Sequence, residues 1–518
     1  MELVKKQICR NQMGKSIVSQ FVIDNDYNVP DAKKDIYQII SGAGSVLVDE
    51  VRPMEQYVRV KGRLEFRILY MADGNEPSLD SLVGQFPFEE MIYVEEGEIP
   101  YILRDTKVEM SLQLIHSRKM NIKAMTELEI GSDKEVQDDL TIDTEEESGI
   151  YKKKNNVNLL RLCAAKRDTY RIKEEMQLPG TKESIGTLLW SDVCVRKTDT
   201  KLEEGELIIN GELLAFCFYE SPDGKLDWAE QVLPYEGRVA CPGADMQMYH
   251  FVNSRLTDVV TDIRSDEDGE LRIIGVEGTL ELRLVVYEEV QMELLEDLYS
   301  LAKKMDVKTE TFTYEEPLLQ NHSKCKRTER LELPELQDSI LQICHSNGMV
   351  QIDDTRVTEE GVQVEGVLHI HFLYVKSDDK VPLGVWQGMI PFCHTIAVGE
   401  REMDITYNIT SALEQLSVSL LGGNSVEVKA MLAFHTFLRK TKEAQNIVAI
   451  TEEAYPVEDH GKRPSIVGYT VKEGDDLWML AKRYRTTVEE MKQSNHLSEE
   501  TIKTGQRILI LKENMSIL

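Results

Sequence analysis

Apolar residues recur at every second position along three stretches of the chain, each starting two residues after a glycine. The apolar positions are Leu64, Phe66 and Ile68 after Gly62, Leu213, Ala215 and Cys217 after Gly211, and Leu368, Ile370 and Phe372 after Gly366. Successive side chains of a β-strand point to opposite faces, so this period of two predicts half-buried strands. A polar turn and a second apolar run follow each stretch, which predicts antiparallel hairpins.

A different apolar spacing precedes each predicted strand. The apolar residues are Ile36, Ile39 and Ile40 after Pro30, Ile185, Leu188 and Leu189 after Pro179, and Ile340, Ile343 and Cys344 after Pro334. Positions i, i+3 and i+4 lie on one face of an α-helix, and a proline is tolerated just ahead of a helix. The pattern therefore predicts one short helix before each strand.

These spacings occur three times, which indicates an internal duplication. Pro30, Pro179 and Pro334 each lie 32 residues before a marker glycine, and Tyr70, Tyr219 and Tyr374 each lie eight residues after it. The glycines are 149 and 155 residues apart, the length of a whole domain. The sequence thus predicts a mainly β protein with short helices, built from three antiparallel β-rich modules. We assign residues 1–160 to module 1, 161–315 to module 2 and 316–451 to module 3.

The residues after module 3 show a second, smaller pattern. Residues 452–464 contain two prolines, a glycine and six charges and are predicted to be a linker. In residues 465–512, Tyr469 and Val471 predict a strand, Asp475 or Asp476 can cap a helix that starts near Leu477, and Thr487 can cap a second one. Asn495 suits a left-handed helix exit, and residues 508–510 predict the last strand. The order is βααβ.

This C-terminal segment resembles a LysM domain over its full length. LysM domains usually bind N-acetylglucosamine polymers in a groove beside the first turn. The resemblance implies that this groove would be lined by Gly474, Asp475, Asp476, Leu477, Asn495, Leu497 and Ile502. Trp478 stands beside the same turn, where a tryptophan serves equally well as a partner contact or as a packing residue.

Composition excludes several function classes. The net charge of −31 argues against binding nucleic acid or anionic lipid, both of which need a basic surface. The chain contains no apolar run long enough to cross a membrane. The first residues show no apolar core of a signal peptide, so we expect a cytoplasmic protein.

Candidate catalytic and metal-binding residues are few. The eight cysteines are scattered without a C-x-x-C pair, which fits reduced thiols better than a disulfide frame or a zinc site. His369 and His371 have a spacing that can hold a metal, but they occupy the polar face of a predicted strand, which favours two exposed histidines. No nucleophile or phosphate-binding motif is present. We therefore expect no enzyme activity, no cofactor and no metal.

The three modules resemble the SPOCS domain of spore-coat proteins. The resemblance rests on the proline before each module's strand, on the valines at 58 and 60 before Gly62 and at 362 and 364 before Gly366, and on the apolar–Pro–aromatic triplets at 86–88, 233–235 and 390–392. SPOCS repeats followed by one LysM domain are the layout of a family of spore-coat morphogenetic proteins.

The family resemblance implies a non-enzymatic scaffold. Such a protein would act in the mother-cell cytoplasm and link the coat-basement sporulation ATPase, together with other coat proteins, to the forespore surface. Its LysM domain would then bind protein. The alternative is a protein that attaches to the spore cortex by binding peptidoglycan, an N-acetylglucosamine polymer, through the LysM domain.

Overall fold

A computed structural model describes residues 1–74, 78–95, 100–145, 148–333, 340–377, 381–399, 404–422, 425–455 and 466–511. The expected linker at 452–464 falls largely outside the described residues, as do Pro334 and parts of two predicted turns, at 75 and 378–379.

Strands dominate the described chain, and the first eighteen of them fall into three groups of six, which we call repeats 1, 2 and 3. Repeat 1 comprises β1 (Leu3–Asn28), β2 (Ile36–Pro53), β3 (Tyr57–Ala72), β4 (Ser78–Tyr93), β5 (Tyr101–His116) and β6 (Lys119–Thr144). Repeat 2 comprises β7 (Ile150–Gln177), β8 (Thr187–Glu203), β9 (Glu206–Glu220), β10 (Leu226–Ala240), β11 (Tyr249–Ser265) and β12 (Leu271–Ser300). Repeat 3 comprises β13 (Lys303–Glu332), β14 (Ile340–Thr358), β15 (Gly361–Lys376), β16 (Leu383–Ala397), β17 (Ile405–Gly422) and β18 (Ser425–Ala454).

Each repeat contains two antiparallel three-stranded sheets with the same strand order. In repeat 1 the orders are β1-β6-β5 and β2-β3-β4, and repeats 2 and 3 follow the same scheme. Apolar side chains fill the space between the two sheets of a repeat. In repeat 1 they form two clusters, and β1, β3, β4 and β6 contribute to both. The prediction of three mainly β, antiparallel modules is therefore confirmed.

The strand pairing suggests different limits for the modules. The boundaries at 160/161 and 315/316 fall inside β7 and β13, whose first residues, Ile150 and Lys303, already pair within their own repeat. We propose that repeats 2 and 3 begin at these two residues.

The predicted alternating strands are correct. Leu64, Phe66 and Ile68 are all almost completely buried, and the equivalent residues of repeats 2 and 3 are buried as well. The hairpins also form, since β3 pairs with β4, β9 with β10 and β15 with β16.

The predicted short helices are wrong. Pro30 and Pro179 begin turns closed by the amides of Lys33 and Lys182, and residues 36–53 form strand β2. The ladder between β2 and β3 shifts register between Ile36 and Gln38, which inserts an extra residue. Because of this β-bulge, Ile36 and Ile39 reach the same apolar cluster although they are three residues apart. The extra residue in the strand thus produces a spacing of three between residues on one face, which is the spacing of a helix.

The marker glycines have a steric role. Each lies directly opposite the aromatic residue of a proline triplet, in the pairs Gly62–Phe88, Gly211–Tyr235 and Gly366–Phe392. A Cβ atom on Gly366 would lie 2.0 Å from the carbonyl oxygen of Gln351 and 2.8 Å from the Phe392 ring. The aromatic ring covers the glycine across the strands, which explains why these two positions keep a constant spacing.

We expect Gly366→Ala to destabilise the protein by about 1–3 kcal/mol, because the added methyl group forces the neighbouring strand or the Phe392 ring to move. Gly180→Ala is the matched control, since a Cβ atom there meets nothing within 4 Å. Urea unfolding monitored by circular dichroism measures both. Equal midpoints for the two variants would contradict the steric role of Gly366.

The three repeats share a buried interface formed by their second sheets, which are β2-β3-β4, β8-β9-β10 and β14-β15-β16; the other sheet of each repeat is its first sheet. One apolar cluster contains equivalent residues of all three: Leu69, Phe218 and Leu373, seven residues after the marker glycines, and Ile40, Leu189 and Cys344, ten residues after the marker prolines. A second shared cluster lies where the long strands of the three repeats meet, and it includes Leu140, Leu159 and Phe312. The repeats are therefore parts of one packed body.

Candidate functional site

The C-terminal segment forms a small domain of two strands and two helices. Its elements are β19 (Ile466–Thr470), α1 (Leu477–Tyr484), α2 (Val488–Ser494) and β20 (Arg507–Leu511), and β19 pairs antiparallel with β20. Leu477, Leu480, Ala481 and Met491 are buried between the helices and the sheet. The predicted βααβ order is confirmed.

The first turn of this domain holds two carboxylates with different structural roles. Asp476 is the N-cap of α1 and accepts a 2.5 Å hydrogen bond from the amide of Met479. Asp475 accepts hydrogen bonds from the amide of Lys472 and the hydroxyl of Tyr469, both at 2.8 Å. These two bonds lower the pKa of Asp475, so it is ionised at neutral pH. The turn therefore presents negative charge beside the exposed Gly474.

Asn495 links α2 to the last strand. Its side-chain amide donates to the carbonyls of Met491, at 2.8 Å, and Leu509, at 2.7 Å, and its oxygen accepts from the Leu509 amide at 2.6 Å. The expectation of a left-handed conformation at Asn495 is wrong by one residue, because His496 carries the positive φ of 51°. Asn495 itself has a negative φ of −111°, and its side chain joins α2 to β20.

The residues expected to line the LysM groove differ in their exposure. Leu477 belongs to the core, Gly474 is exposed, and Leu497 and Ile502 are half-buried against the same core. A ligand at this edge would meet the two half-exposed carboxylates of Asp475 and Asp476. Their role as a binding groove stays a prediction.

Trp478 contacts repeat 2. Its indole nitrogen donates to Asp297 Oδ2 at 2.8 Å, and its ring packs edge-on against Tyr299 with centroids 4.9 Å apart. Lys482, on the same helix, places its ammonium 2.5 Å from the other oxygen of Asp297. The Tyr299 hydroxyl donates to the carbonyl of Thr486 at 2.9 Å. We call this contact between the LysM domain and the end of β12 the dock.

The dock brings in residues that the sequence did not single out. Asp297 and Tyr299 lie 181 and 179 positions before Trp478, and no local pattern marks them. Burial raises the pKa of the Tyr299 phenol above its usual range, so it stays a hydrogen-bond donor. The tryptophan that was expected to serve either a partner or packing thus packs against its own chain in this structure.

The cysteines are free thiols of low reactivity where they are buried. Burial raises the pKa of Cys217 and of Cys344 to about 12, which leaves almost no thiolate at neutral pH. Both were expected at core positions, and this is confirmed. Cys163 and Cys393 are the exposed cysteines of the described chain.

His369 and His371 are half-buried, so the expectation of two exposed histidines is wrong. They line a cleft of about 810 Å³ to which all three repeats contribute, and His371 lies 4.0 Å from Asp192 of repeat 2. The outer face of the second sheet was expected to meet solvent. It is covered because the repeats use that face to pack against each other.

In the part of the chain that the structure describes, no helix combines the length and the apolar character that a membrane crossing requires.

Comparison with known proteins identifies both kinds of domain. The LysM domain family matches residues 469–511, and the family described as "SipL, SPOCS domain" matches residues 35–130, 184–264 and 339–421, which together make up half of the chain. Each SPOCS match begins just before the second strand of a repeat and ends within its first-sheet strands.

Two curated proteins are similar over short segments. A probable N-acetylmuramidase of Lactococcus lactis subsp. cremoris is 41% identical over 49 residues, which cover 10% of this chain and 11% of that protein. A probable N-acetylmuramidase of strain MG1363 is 45% identical over 40 residues, which cover 8% of this chain and 9% of that protein. This chain thus spans about a tenth of these relatives, and no solved structure matches it.

The three SPOCS matches fall on the three structural repeats, and the LysM match falls on the docked βααβ domain. The chain belongs to the family of SipL-type sporulation proteins, with SPOCS domains followed by a C-terminal LysM domain.

Proposed function

We propose that the protein is a non-enzymatic scaffold of spore-coat assembly that works in the mother-cell cytoplasm. It would link the coat-basement sporulation ATPase, with other coat proteins, to the forespore surface. The observation that carries this proposal is the match of the SPOCS family to all three repeats of one packed body, followed by a LysM domain.

The structure supports separate roles for the three-repeat body and the LysM domain. Three repeats with shared apolar clusters form a large support, and the LysM domain contacts it through α1. The turn at Gly474 and the segment after Asn495 contain exposed residues. We propose that Gly474, Asp475, Asp476, Asn495, Leu497 and Ile502 form the surface that binds the partner.

The proposal is tested by deleting residues 465–512. Because each repeat has its own core, we expect the remaining protein to stay folded but to lose both its localisation at the forespore and its binding to the ATPase. Circular dichroism checks the fold, and a fluorescent fusion in sporulating cells reports localisation. Normal localisation of the shortened protein would refute the role of the LysM domain.

A second candidate function is binding to peptidoglycan. The similarity to proteins named as probable N-acetylmuramidases favours it, because a LysM domain usually binds N-acetylglucosamine polymers. Sedimentation of the full chain with purified peptidoglycan, in parallel with capture by the ATPase, separates the two. Binding to peptidoglycan that needs residues 465–512, without binding to the ATPase, would favour this second function.

We expect Trp478→Ala to loosen the dock without unfolding the LysM domain. The substitution removes the bond to Asp297 and the contact with Tyr299, while Leu477, Leu480 and Met491 keep the core. Hydrogen exchange should rise at residues 297–301, and Trp478→Phe, which keeps a ring, should show a smaller rise. Unchanged exchange in Trp478→Ala would contradict the dock.

Partner affinity measured on the same variants decides the second role of Trp478. Truncating an aromatic hot spot costs about 2 kcal/mol, or roughly thirtyfold in affinity. A loss of this size in both Trp478→Ala and Trp478→Phe would mean that the indole also contacts the partner.

A further inference from the structure

Two histidines and an aspartate meet where repeat 2 contacts repeat 3. Asp199 lies on β8, His322 on β13 and His435 on β18. One possible ligand atom of each residue lies within 4.8 Å of the others. Among the described residues, no other group of three or more His, Cys, Asp or Glu side chains has such spacing.

The backbone places the two histidines on one face of a sheet. His322 and His435 are direct partners in the antiparallel ladder of β13 and β18, and β18 also pairs with β17 on its other side. The two imidazole rings are 4.0 Å apart between centroids, at an angle of 32°. Since directly opposed side chains of neighbouring strands point the same way, both rings face repeat 2.

The candidate ligand atoms lie close together at the contact between the repeats. His435 is half-buried, with its ring beside that of His322. Asp199 binds Lys197 through Oδ2 at 2.6 Å, while its Oδ1 lies 4.0 Å from Nδ1 of His322. A separation of 4.0 Å is too long for a hydrogen bond.

The surrounding charges are balanced, and the site can adjust. Glu414 and Lys324 lie near His435 and form an ion pair at 2.6 Å. His250 lies near His322, but its Nε2 is hydrogen-bonded to Thr200 at 3.1 Å. The side chains of His322 and Asp199 are 43% and 42% exposed, which leaves them room to rotate toward a common centre.

We propose that Asp199, His322 and His435 bind one zinc-class divalent ion, with water in the remaining position, and that this ion joins repeat 2 to repeat 3. Imidazole with a carboxylate is a usual ligand set for Zn²⁺, whereas Mg²⁺ and Ca²⁺ prefer oxygen alone. Ligand atoms about 2.0–2.2 Å from the ion require the three side chains to close in by small rotations.

The test is metal binding by the full chain after removal of metal and alkylation of the exposed Cys163 and Cys393. Equilibrium dialysis with Zn²⁺, followed by metal analysis, should give one ion per chain. Asp199→Asn keeps the size of the side chain and should weaken binding at least tenfold, and His435→Gln should abolish it. His371→Gln is the matched control, because His371 is a half-buried histidine outside the group, and it should bind like the unsubstituted protein.

Two further measurements distinguish a specific site from nonspecific metal binding. Co²⁺ in place of Zn²⁺ should give visible absorption bands of a four- or five-coordinate site, and these should disappear in His435→Gln. Zn²⁺ should raise the melting temperature of the unsubstituted protein and not that of Asp199→Asn. Circular dichroism confirms that each variant is folded. Absence of stoichiometric binding, or binding equally strong in Asp199→Asn and His371→Gln, would overturn the proposal.

Discussion

Replacing Arg439 with alanine is expected to destabilise the protein by about 3 kcal/mol, the lower end of the range for removing one partner of a buried ion pair, because the side chain of its partner Glu315 is 26% exposed. The Arg439 side chain is only 1% exposed. Its guanidinium donates to Glu315 at 3.0 Å, to the Tyr287 hydroxyl at 3.1 Å and to Asn408 at 2.8 Å. It also lies 5.5 Å from the centroid of the Phe437 ring.

The effect should reach beyond repeat 3, because Arg439 joins two repeats. Glu315 and Asn408 belong to repeat 3, whereas Tyr287 is on β12 of repeat 2. Removing the guanidinium leaves a cavity, an unpaired carboxylate and an interface with one contact fewer. We therefore expect repeats 2 and 3 to lose cooperativity as well as stability.

Urea unfolding followed by fluorescence and circular dichroism measures this prediction. Arg356→Ala is the control, because Arg356 pairs with Asp354 but its side chain is 66% exposed, and surface ion pairs contribute about 0–1 kcal/mol. Similar unfolding midpoints for the two variants would show that the buried Arg439 contributes no more to stability than an exposed arginine.

Replacing His345 with alanine is expected to cost about 2–3 kcal/mol, below the full range for a buried pair because one of its partners is partly exposed. His345 is on β14, its side chain is 4% exposed, and its ring stacks on Phe216 of repeat 2 at 4.1 Å. Its Nδ1 lies 2.6 Å from Glu230 and its Nε2 lies 3.1 Å from Asp192, both from repeat 2. Without the imidazole, two carboxylates would face a cavity at the interface.

The pH dependence of this contact has a definite sign. Burial opposes the charge on His345, but the hydrogen bonds to Asp192 and Glu230 outweigh burial and raise its pKa above 6.5. Its contribution to stability is therefore full below pH 6.5 and is lost as the pH rises through the raised pKa. For Asp192 the bonds from His345 and Asn347 also outweigh burial and lower the pKa below 3.8, so its contribution is lost only as the pH falls through that lower value.

The difference in stability between the unsubstituted protein and His345→Ala should thus be largest between about pH 4 and 6.5 and smaller at alkaline pH. Urea titrations across this range measure it. His371→Ala is a suitable control, because burial lowers the pKa of His371 and it carries no charge at neutral pH. A difference that is constant with pH would contradict a charged His345 at the interface.

Both predictions concern how firmly repeats 2 and 3 are joined. Arg439 and His345 join repeats 2 and 3 through polar contacts, Arg439 beside the apolar cluster of Tyr287 and Phe437 and His345 beside the cluster of the second sheets. If the protein is the scaffold proposed above, its repeats must not move independently. On that proposal, loosening the interface is expected to weaken coat assembly even though neither residue belongs to the LysM domain.

The sequence by itself determined the local structure wherever one short-range rule acted alone. Alternation with a period of two identified β3, β9 and β15 and their buried residues, because a strand exposes side chains to two faces regardless of the rest of the fold. Caps and turns identified the LysM helices, where Asp476 and Thr487 act within three residues of their partners.

Only the tertiary structure decided features that depend on distant partners. The bulge after Ile36 needs the neighbouring strand β3 to exist, and without it the spacing from Ile36 to Ile39 has the period of a helix. The outer face of the second sheet is an interface because it carries apolar residues in each repeat, and these residues pack against those of the other repeats.

The contacts of Trp478 and of the proposed metal site also depend on partners that are distant in sequence. Trp478 meets Asp297 across 181 residues, and His322 meets Asp199 across 123. Such pairs form when folded units pack against each other, and the spacing of residues along a chain carries no information about that packing. The sequence therefore determined the repeats and the LysM domain, while packing between the folded units decided which of their side chains meet.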